Sequence, residues 1–162
     1  MSYPPVRYRG DTGEMSARFR PGSHEPELKI GSSTTVGYLA TGAATNGQFG
    51  LYRWEAQPRT KGPNPHFHKT MSESFFILTG TIRLFNGERW IDATAGDFLF
   101  VPEGGIHAFH NESDEPAAML LLFAPGAPRE GYFEALAERA AGRQYGDDDW
   151  KDICVRHDNY FI

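Results

Sequence analysis

The stretch His66-Phe67-His68-Lys69-Thr70-Met71-Ser72-Glu73 is the most informative part of this chain. In an extended strand, side chains two residues apart point to the same face, so His66 and His68 can reach one ion together. A helix would turn these two rings apart. Glu73 then begins an apolar run that closes at Thr79-Gly80, a pattern typical of a buried strand that ends in a turn. The stretch therefore predicts a β-structure that carries a metal site.

A further histidine follows a second turn, Pro102-Glu103-Gly104-Gly105. This residue, His107, belongs to residues 106–111, another strand-like run. Three imidazoles and one carboxylate form a ligand set that suits a divalent first-row metal such as Fe, Mn, Ni, Cu or Zn. We expect one such ion to be bound by His66, His68, Glu73 and His107.

These residues resemble the two sequence signatures of the cupin family. The first signature, a His-x-His pair followed by a glutamate and a glycine, is matched by His66, His68, Glu73 and Gly80, with Gly62 standing for its leading glycine. The second signature is matched by Gly96, Pro102, Gly104, His107 and Asn111. Residues 81–95 separate the two signatures. The resemblance implies an all-β fold, a double-stranded β-helix or jelly-roll barrel that binds one metal through the three histidines and the glutamate.

The sequence around these signatures agrees with one such barrel. Glycine and proline separate short strand-like runs over residues 15–124, which we expect to form the barrel. Residues 1–14 are polar and rich in proline and glycine, and predict an arm of little intrinsic order. Residues 15–20 alternate in polarity and predict an outer strand or a strand exchanged with a second subunit. We interpret residues 1–162 as a single cupin domain.

The C-terminal region departs from the strand pattern. Over residues 129–142, Tyr132, Phe133 and Leu136 fall at helical spacing, which predicts one amphipathic helix packed outside the barrel. Residues 143–162 form an aromatic and acidic tail, and we interpret the run Asp147-Asp148-Asp149 as a solvated turn. We expect the aromatic end of this tail to pack on the body or on a neighbouring subunit.

Composition and charge exclude several classes of partner. The net charge of −5 at pH 7 and the absence of a Lys/Arg cluster argue against nucleic acid. No apolar stretch is long enough to cross a bilayer, and the first residues lack a signal pattern, so we expect a cytoplasmic protein without a membrane partner. Cys154 is the single cysteine and fits a reducing compartment. Because dimers with two-fold symmetry are the commonest oligomers of soluble proteins, we expect a homodimer.

Glu73 is the candidate catalytic residue. A carboxylate that loosens from a metal can take a proton from a substrate hydroxyl, although a plain ligand role is an equal alternative. The predicted substrate-binding residues share the ligands' face of their strands or stand at its rim. They are Phe75, Ile77, Phe109 and Asn111.

The aromatic content, 12 Phe, 7 Tyr and 3 Trp, favours a flat apolar substrate, and no arginine cluster is evident in the predicted barrel interior. The Phe-rich strands and the exit Ala124-Pro125-Gly126 resemble the flavonol (quercetin) dioxygenase branch of the cupins. We predict a metal-dependent enzyme, preferentially a dioxygenase, that acts on a phenolic, enolic or polyketide-like small molecule. The alternatives are a metal-dependent cyclase or isomerase that uses no O2, and a non-enzymatic small-molecule or metal-binding protein.

Overall fold

Antiparallel strands with alternating burial form the body of the protein, which a computed structural model describes from Met1 to Ile162. The strands are β1 Leu28–Ile30, β2 Thr34–Ala40, β3 Gly50–Ala56, β4 His66–Phe67, β5 Ser72–Thr79, β6 Thr81–Phe85, β7 Trp90–Thr94, β8 Phe98–Val101, β9 Ala108–His110, β10 Ala117–Ala124 and β11 Tyr160–Phe161. The helices are α1 Glu130–Ala140 and α2 Asp147–Arg156. The predicted all-β fold class is confirmed. No helix has the length and apolar character that crossing a membrane requires.

Two sheets face one another across the core. The larger sheet has the strand order β1-β2-β3-β10-β5-β8, and the smaller has the order β7-β6-β9. The chain passes from the larger sheet to the smaller at Gly80, between β5 and β6. Gly80 has a φ of +69°, and a Cβ there would collide with the Pro116 carbonyl, so glycine is required at this signature position. Strand β4 pairs with β11, and a separate bridge joins His66 to His107.

One face of the larger sheet supplies most of the core. Register places Tyr52 beside Leu121, and Leu121 beside Phe75, so these three side chains point to the same side. Each is at most 1% exposed. Aromatic rings meet edge to face within this layer, as between Tyr52 and Phe123, whose centroids lie 5.8 Å apart. The core therefore forms from apolar residues.

Helix α1 closes the open side of the barrel. Its Phe133 is 3% exposed, and its ring centroid lies 5.2 Å from that of Tyr52 and 5.6 Å from that of Trp54. Because Tyr52 and Trp54 belong to the inner face of the larger sheet, α1 covers the mouth between the two sheets. The helix predicted over residues 129–142 is thus confirmed, and its position makes it part of the interior wall.

The tail contains a second helix that the sequence analysis did not predict. Its acidic run, interpreted above as a solvated turn, instead forms the first turn of α2. Negative charges are favourable there because the N-terminal end of a helix carries a partial positive charge. Trp150, Ile153 and Cys154 follow at helical spacing and pack against the core, a periodicity that could have revealed the helix.

Within one chain, residues 15–20 do not form the predicted outer strand; the alternative of a strand exchanged with a second subunit stays a prediction. These residues have no regular structure, and the side chains of Met15 and Phe19 are fully or almost fully exposed. A strand needs a neighbour for its backbone hydrogen bonds, and residues 15–20 pair with no strand of this chain, although the side chain of Arg20 approaches β2 at Gly37. The edge of β4 is instead paired by β11, from the opposite end of the chain.

Candidate metal centre

Four side chains meet at one point inside the barrel, as the sequence predicted. They are His66, His68, Glu73 and His107. Their potential ligand atoms all lie within 4.8 Å of one another. The four residues are at most 4% exposed, so solvent does not compete for these atoms. Separate segments of the chain thus build a single buried cluster.

Backbone hydrogen bonds hold the segments that carry the histidines. His66 and His107 exchange two such bonds, from each amide to the other residue's carbonyl, at 3.0 and 2.9 Å. The Gly104 amide donates to the His68 carbonyl at 2.7 Å, which ties the turn before His107 to the His-x-His segment. Because Gly104 has a φ of +81°, glycine is favoured at this position of the second signature.

Each imidazole is oriented by a carbonyl oxygen at its Nδ1. His66 Nδ1 donates to Asn64 O at 2.9 Å, and His107 Nδ1 donates to Gly105 O at 2.9 Å. His68 Nδ1 donates to Asp158 O at 2.6 Å. Since a carbonyl oxygen only accepts, Nδ1 carries the proton in all three rings, and Nε2 is left for the cluster.

One oxygen of Glu73 lies within hydrogen-bond distance of two of these rings. Its Oε2 lies 3.0 Å from His68 Nε2 and 2.8 Å from His107 Nε2. Burial by itself would raise the pKa of Glu73, but the charge and hydrogen bonds of His107 and His68 outweigh it and hold that pKa well below its usual value. Glu73 is therefore ionised at neutral pH.

The pKa values of His66 and His107 shift in opposite directions. Burial lowers the pKa of His66 to about 3, and His107 adds to the effect, so His66 is neutral at physiological pH. Burial would also lower the pKa of His107, but the charge and hydrogen bond of Glu73 raise it overall. A neutral imidazole and an ionised carboxylate are the protonation states in which these groups bind metals.

The cluster suits a divalent metal. It offers three imidazole Nε2 atoms and one carboxylate, and every ring already has its second nitrogen bonded to the backbone. This outer hydrogen bond is a regular feature of histidine metal ligands, because it fixes both the tautomer and the orientation of the ring. The identity of the metal belongs to the proposal below.

A cavity of about 560 Å³ adjoins the cluster. Glu73 and His66 contribute to its wall, so the cluster borders this cavity. Aromatic side chains form part of the remaining wall: Trp54, Phe109, Phe123, Tyr132, Phe133, Trp150 and Phe161. A cavity of this size, lined in this way, is typical of small-molecule sites.

Of the four residues predicted to bind substrate, the structure brings one to the cavity. Phe109 lines the wall, whereas Phe75, Ile77 and Asn111 do not. Phe75 and Ile77 do share the face of Glu73, but both are fully buried and fill the barrel core. A position on the same face as Glu73 does not bring a side chain to the cavity, because the cavity occupies only one end of the barrel.

Asn111 holds a loop instead of facing the cavity. Its Nδ2 donates to the carbonyls of Ala56, Gln57 and Glu115 at 2.8 to 3.2 Å. Its Oδ1 accepts from the amide and the hydroxyl of Ser113. With its hydrogen bonds made inside the protein, Asn111 joins the ends of β3 and β10.

The sequence analysis missed a buried cation and a C-terminal contact. Arg129, 3% exposed, lines the cavity although it was assigned only to the start of a helix. Asp158 supplies the carbonyl that orients His68. No local pattern marks either residue, because both reach the site through contacts with distant parts of the chain.

The residues that hold the cluster also match a family model. Residues 52–123 match the model of the cupin domain, and this range contains all four clustered residues. Over these residues the chain carries a cupin domain. Most strands of both sheets, and the whole cluster described above, lie within the matched range.

Comparison with known proteins places this cupin domain among diverse relatives. It is 29% identical to quercetin 2,3-dioxygenase of Bacillus subtilis (strain 168) over 98 residues, which are 60% of this chain and 28% of that protein. Its fold is similar to that of KdgF from Halomonas sp., with a TM-score of 0.60, 13% identity and coverage of 70% of this chain and 97% of that one. It is also similar to the polyketide cyclase RemF from Streptomyces resistomycificus, with a TM-score of 0.56, 21% identity and coverage of 67% and 78%.

Replacing His107 with Ala should remove the metal from the cupin domain and leave the barrel folded. The metal would lose one of its four ligands. The barrel should stay folded because its core consists of apolar residues outside the cluster. We expect metal affinity to fall by more than the ~100-fold that loss of an outer hydrogen-bond partner can cost. Metal analysis and circular dichroism check this result.

His110→Ala is the matched control, since His110 lies on β9 but outside the cluster. It should retain its metal. Undiminished metal in His107→Ala would contradict the assignment of the site. Global unfolding of that variant would instead show that the metal is structural.

Proposed function

We propose that this chain is a metal-dependent enzyme that acts on a phenolic, enolic or polyketide-like small molecule, and that it is a dioxygenase. The observation that carries the proposal is the direct opening of the buried ligand cluster into an aromatic cavity, through Glu73 and His66. The proposed metal is Fe, Mn, Ni, Cu or Zn, held by the three histidines and Glu73. When bound, such an ion supplies a Lewis acid and, for the redox-active metals, a centre for O2 chemistry.

The cavity wall supports a flat substrate. Trp54 and Phe109 meet edge to face, with centroids 5.6 Å apart, and Phe123 lies in the same wall. Rings in such an arrangement favour an aromatic or conjugated guest over a flexible polar one. We propose that Phe109 contacts this substrate. The similarity to a protein named quercetin 2,3-dioxygenase supports the same substrate class.

Glu73 is the proposed proton acceptor. It is ionised, it belongs to the cluster, and it also lines the cavity in which the substrate hydroxyl would lie. A carboxylate so placed can accept the proton that a phenol or enol must lose. The aromatic rings of the wall reduce the access of water, which favours transfer of the proton to Glu73 over transfer to solvent.

Oxygen uptake tests the proposed reaction. Protein loaded with each of the redox-active metals should consume O2 in the presence of a flavonol or a catechol. Turnover by zinc-loaded protein without O2 consumption would support a cyclase or isomerase instead. Binding without turnover under any metal would support a non-enzymatic role.

Glu73→Gln separates the two roles of the glutamate. The amide oxygen can still ligate, so most of the metal should remain bound. Turnover should nevertheless fall by roughly 10²–10⁴, the usual contribution of general base catalysis. The two quantities to measure are metal occupancy and kcat. If excess metal restores full activity, Glu73 is a ligand only.

We also propose that the protein is a homodimer. Phe76, Phe98 and Phe100 are 40%, 62% and 57% exposed on the outer face of the larger sheet, and Phe76 and Phe98 lie side by side in the register. Adjacent exposed aromatic side chains mark an interaction surface, and a second copy is the commonest occupant.

Light scattering should give twice the chain mass of 18.1 kDa. The double variant Phe98→Ser, Phe100→Ser should be monomeric, because it removes the apolar contact. The variant Phe19→Ser, at a residue 90% exposed in the N-terminal segment, should remain a dimer. A monomeric wild-type protein at micromolar concentration would contradict the proposal.

A further inference from the structure

We propose that the cavity binds an anionic group of the substrate, and that Arg129 is the residue that holds it. The inference rests on the proposed function and makes its substrate class more specific. The substrate would be a chelating phenolic or enolic compound that also carries a carboxylate. The sequence had shown no arginine cluster inside the barrel, and only the structure shows that Arg129 is buried beside the cavity.

Arg129 is a buried cation that forms no direct ion pair; the charges of Glu73 and Asp158 act on it only from a longer distance. It is 3% exposed, and no carboxylate forms an ion pair with it. One Nη donates to the His157 carbonyl and the other donates to Asn159 Oδ1 at 3.1 Å. Its Nε has no hydrogen-bond partner. Because an unpaired buried charge is costly, a cation retained in this state points to an anion that binds there.

The surroundings of Arg129 increase the strength of such an interaction. Its guanidinium carbon lies 4.9 Å from the ring centroid of Phe123, 5.0 Å from that of Tyr132 and 5.7 Å from that of Phe133. These rings stabilise the cation through their π-faces but supply no negative charge. They also exclude water, so an anion beside Arg129 would be attracted at a low effective dielectric constant.

The charged residues of the cavity wall have mostly one sign. Lys61 and Arg139 line it together with Arg129, whereas Glu73 is the only carboxylate in the wall. The charge of Glu73 is already engaged by His68 and His107. The chain as a whole has a net charge of −5, so a cationic wall is a local feature. It favours an anionic guest over a neutral one.

Matched small molecules test the inference on zinc-loaded protein, in which no oxidation consumes the probe. The probes are catechol, 2,3-dihydroxybenzoate, 3,4-dihydroxybenzoate and benzoate, and affinity is measured by calorimetry. At least one dihydroxybenzoate should bind about tenfold to a hundredfold more tightly than catechol, because it adds a charge-assisted hydrogen bond. Arg129→Gln should abolish this preference, so that the dihydroxybenzoates and catechol bind with equal affinity. Arg89→Gln, at an exposed hairpin residue outside the wall, is the control.

The outcomes separate this inference from the proposed function. Equal affinity of wild-type protein for catechol and both dihydroxybenzoates would overturn the anion site while leaving the phenol site intact. Failure of catechol to bind, together with Arg129-dependent binding of benzoate, would support the anion site and contradict the phenol site. If Arg129→Gln does not fold, Arg129→Met serves instead, because it also removes the charge, and an unchanged preference for dihydroxybenzoate in that variant overturns the inference.

A second inference rests on the independent contact between the tail and His68. We infer that residues 157–159 position this metal ligand, so that the C-terminal segment is part of the metal centre. The Asp158 carbonyl is the acceptor for His68 Nδ1. Strand β11 follows directly and pairs with β4, which places Phe161 against the ring of His66 at a centroid distance of 5.3 Å.

The side chain of Asp158 anchors this turn to the segment that follows His68. It accepts from the Lys69 amide at 3.0 Å, from the Thr70 amide at 2.9 Å and from the Thr70 hydroxyl at 2.8 Å. Asp158 has a φ of +59°, a conformation that aspartate, asparagine and glycine tolerate best. The carboxylate thus fixes the position of the carbonyl that orients the ring.

Asp158→Gly removes this anchor and suits the same backbone conformation. Zinc release to a chelator should become about 10- to 100-fold faster, the range expected when an outer partner of a ligand is lost. Asp158→Asn keeps one acceptor oxygen, so its rate of zinc release should lie between those of wild type and Asp158→Gly. Asp152→Ala, at an exposed residue of α2, is the control.

Thermal unfolding of the metal-free proteins distinguishes positioning from a general loss of stability. A purely structural role would lower the unfolding temperature of metal-free Asp158→Gly and leave the release rate of its folded form unchanged. Wild-type release rates in both Asp158 variants would overturn the inference.

Discussion

The burial of one carboxylate among three imidazoles is the constraint on which the rest of the structure depends. Glu73 is 4% exposed, and a charge at that depth is tolerated only when it is paired and hydrogen-bonded. His68 and His107 meet its Oε2, and each ring is held in turn by a backbone carbonyl. The cluster therefore forms only if the His-x-His segment, the start of β5, the turn before His107 and the C-terminal tail are all in place.

The apolar core and the cavity beside the ligand cluster occupy different parts of the barrel. The inner face of the larger sheet packs aromatic and aliphatic side chains, such as Tyr52, Phe75 and Leu121, and meets the cluster where Phe75 lies 5.8 Å from the ring of His107. Helix α1 covers the same face with Phe133 and encloses the cavity beside Glu73. This division allows a cupin barrel to keep its ligands while the wall, built partly by the C-terminal helices, defines what can bind.

Patterns local in sequence predicted most of the strands and the cluster itself. The run that begins at Glu73 and closes at Thr79 was predicted to be a strand and forms most of β5, and the run at residues 106–111 contains β9, because alternation and flanking turns act over a few residues. Helix α2 was missed because its acidic first turn was interpreted as a loop. The helical spacing of Trp150, Ile153 and Cys154 indicates a helix in the same segment.

By itself, the sequence determined the fold class and the four candidate ligands, since residue spacing along a strand fixes which side chains share a face. Only the tertiary structure decided which inward-facing residues meet the cavity: Phe109 lines it, while Phe75 and Ile77 fill the core. Only the tertiary structure brought Arg129 to the wall and Asp158 to His68, a contact between residues 90 positions apart. Such contacts depend on how whole elements pack, and no periodicity within one element records that packing.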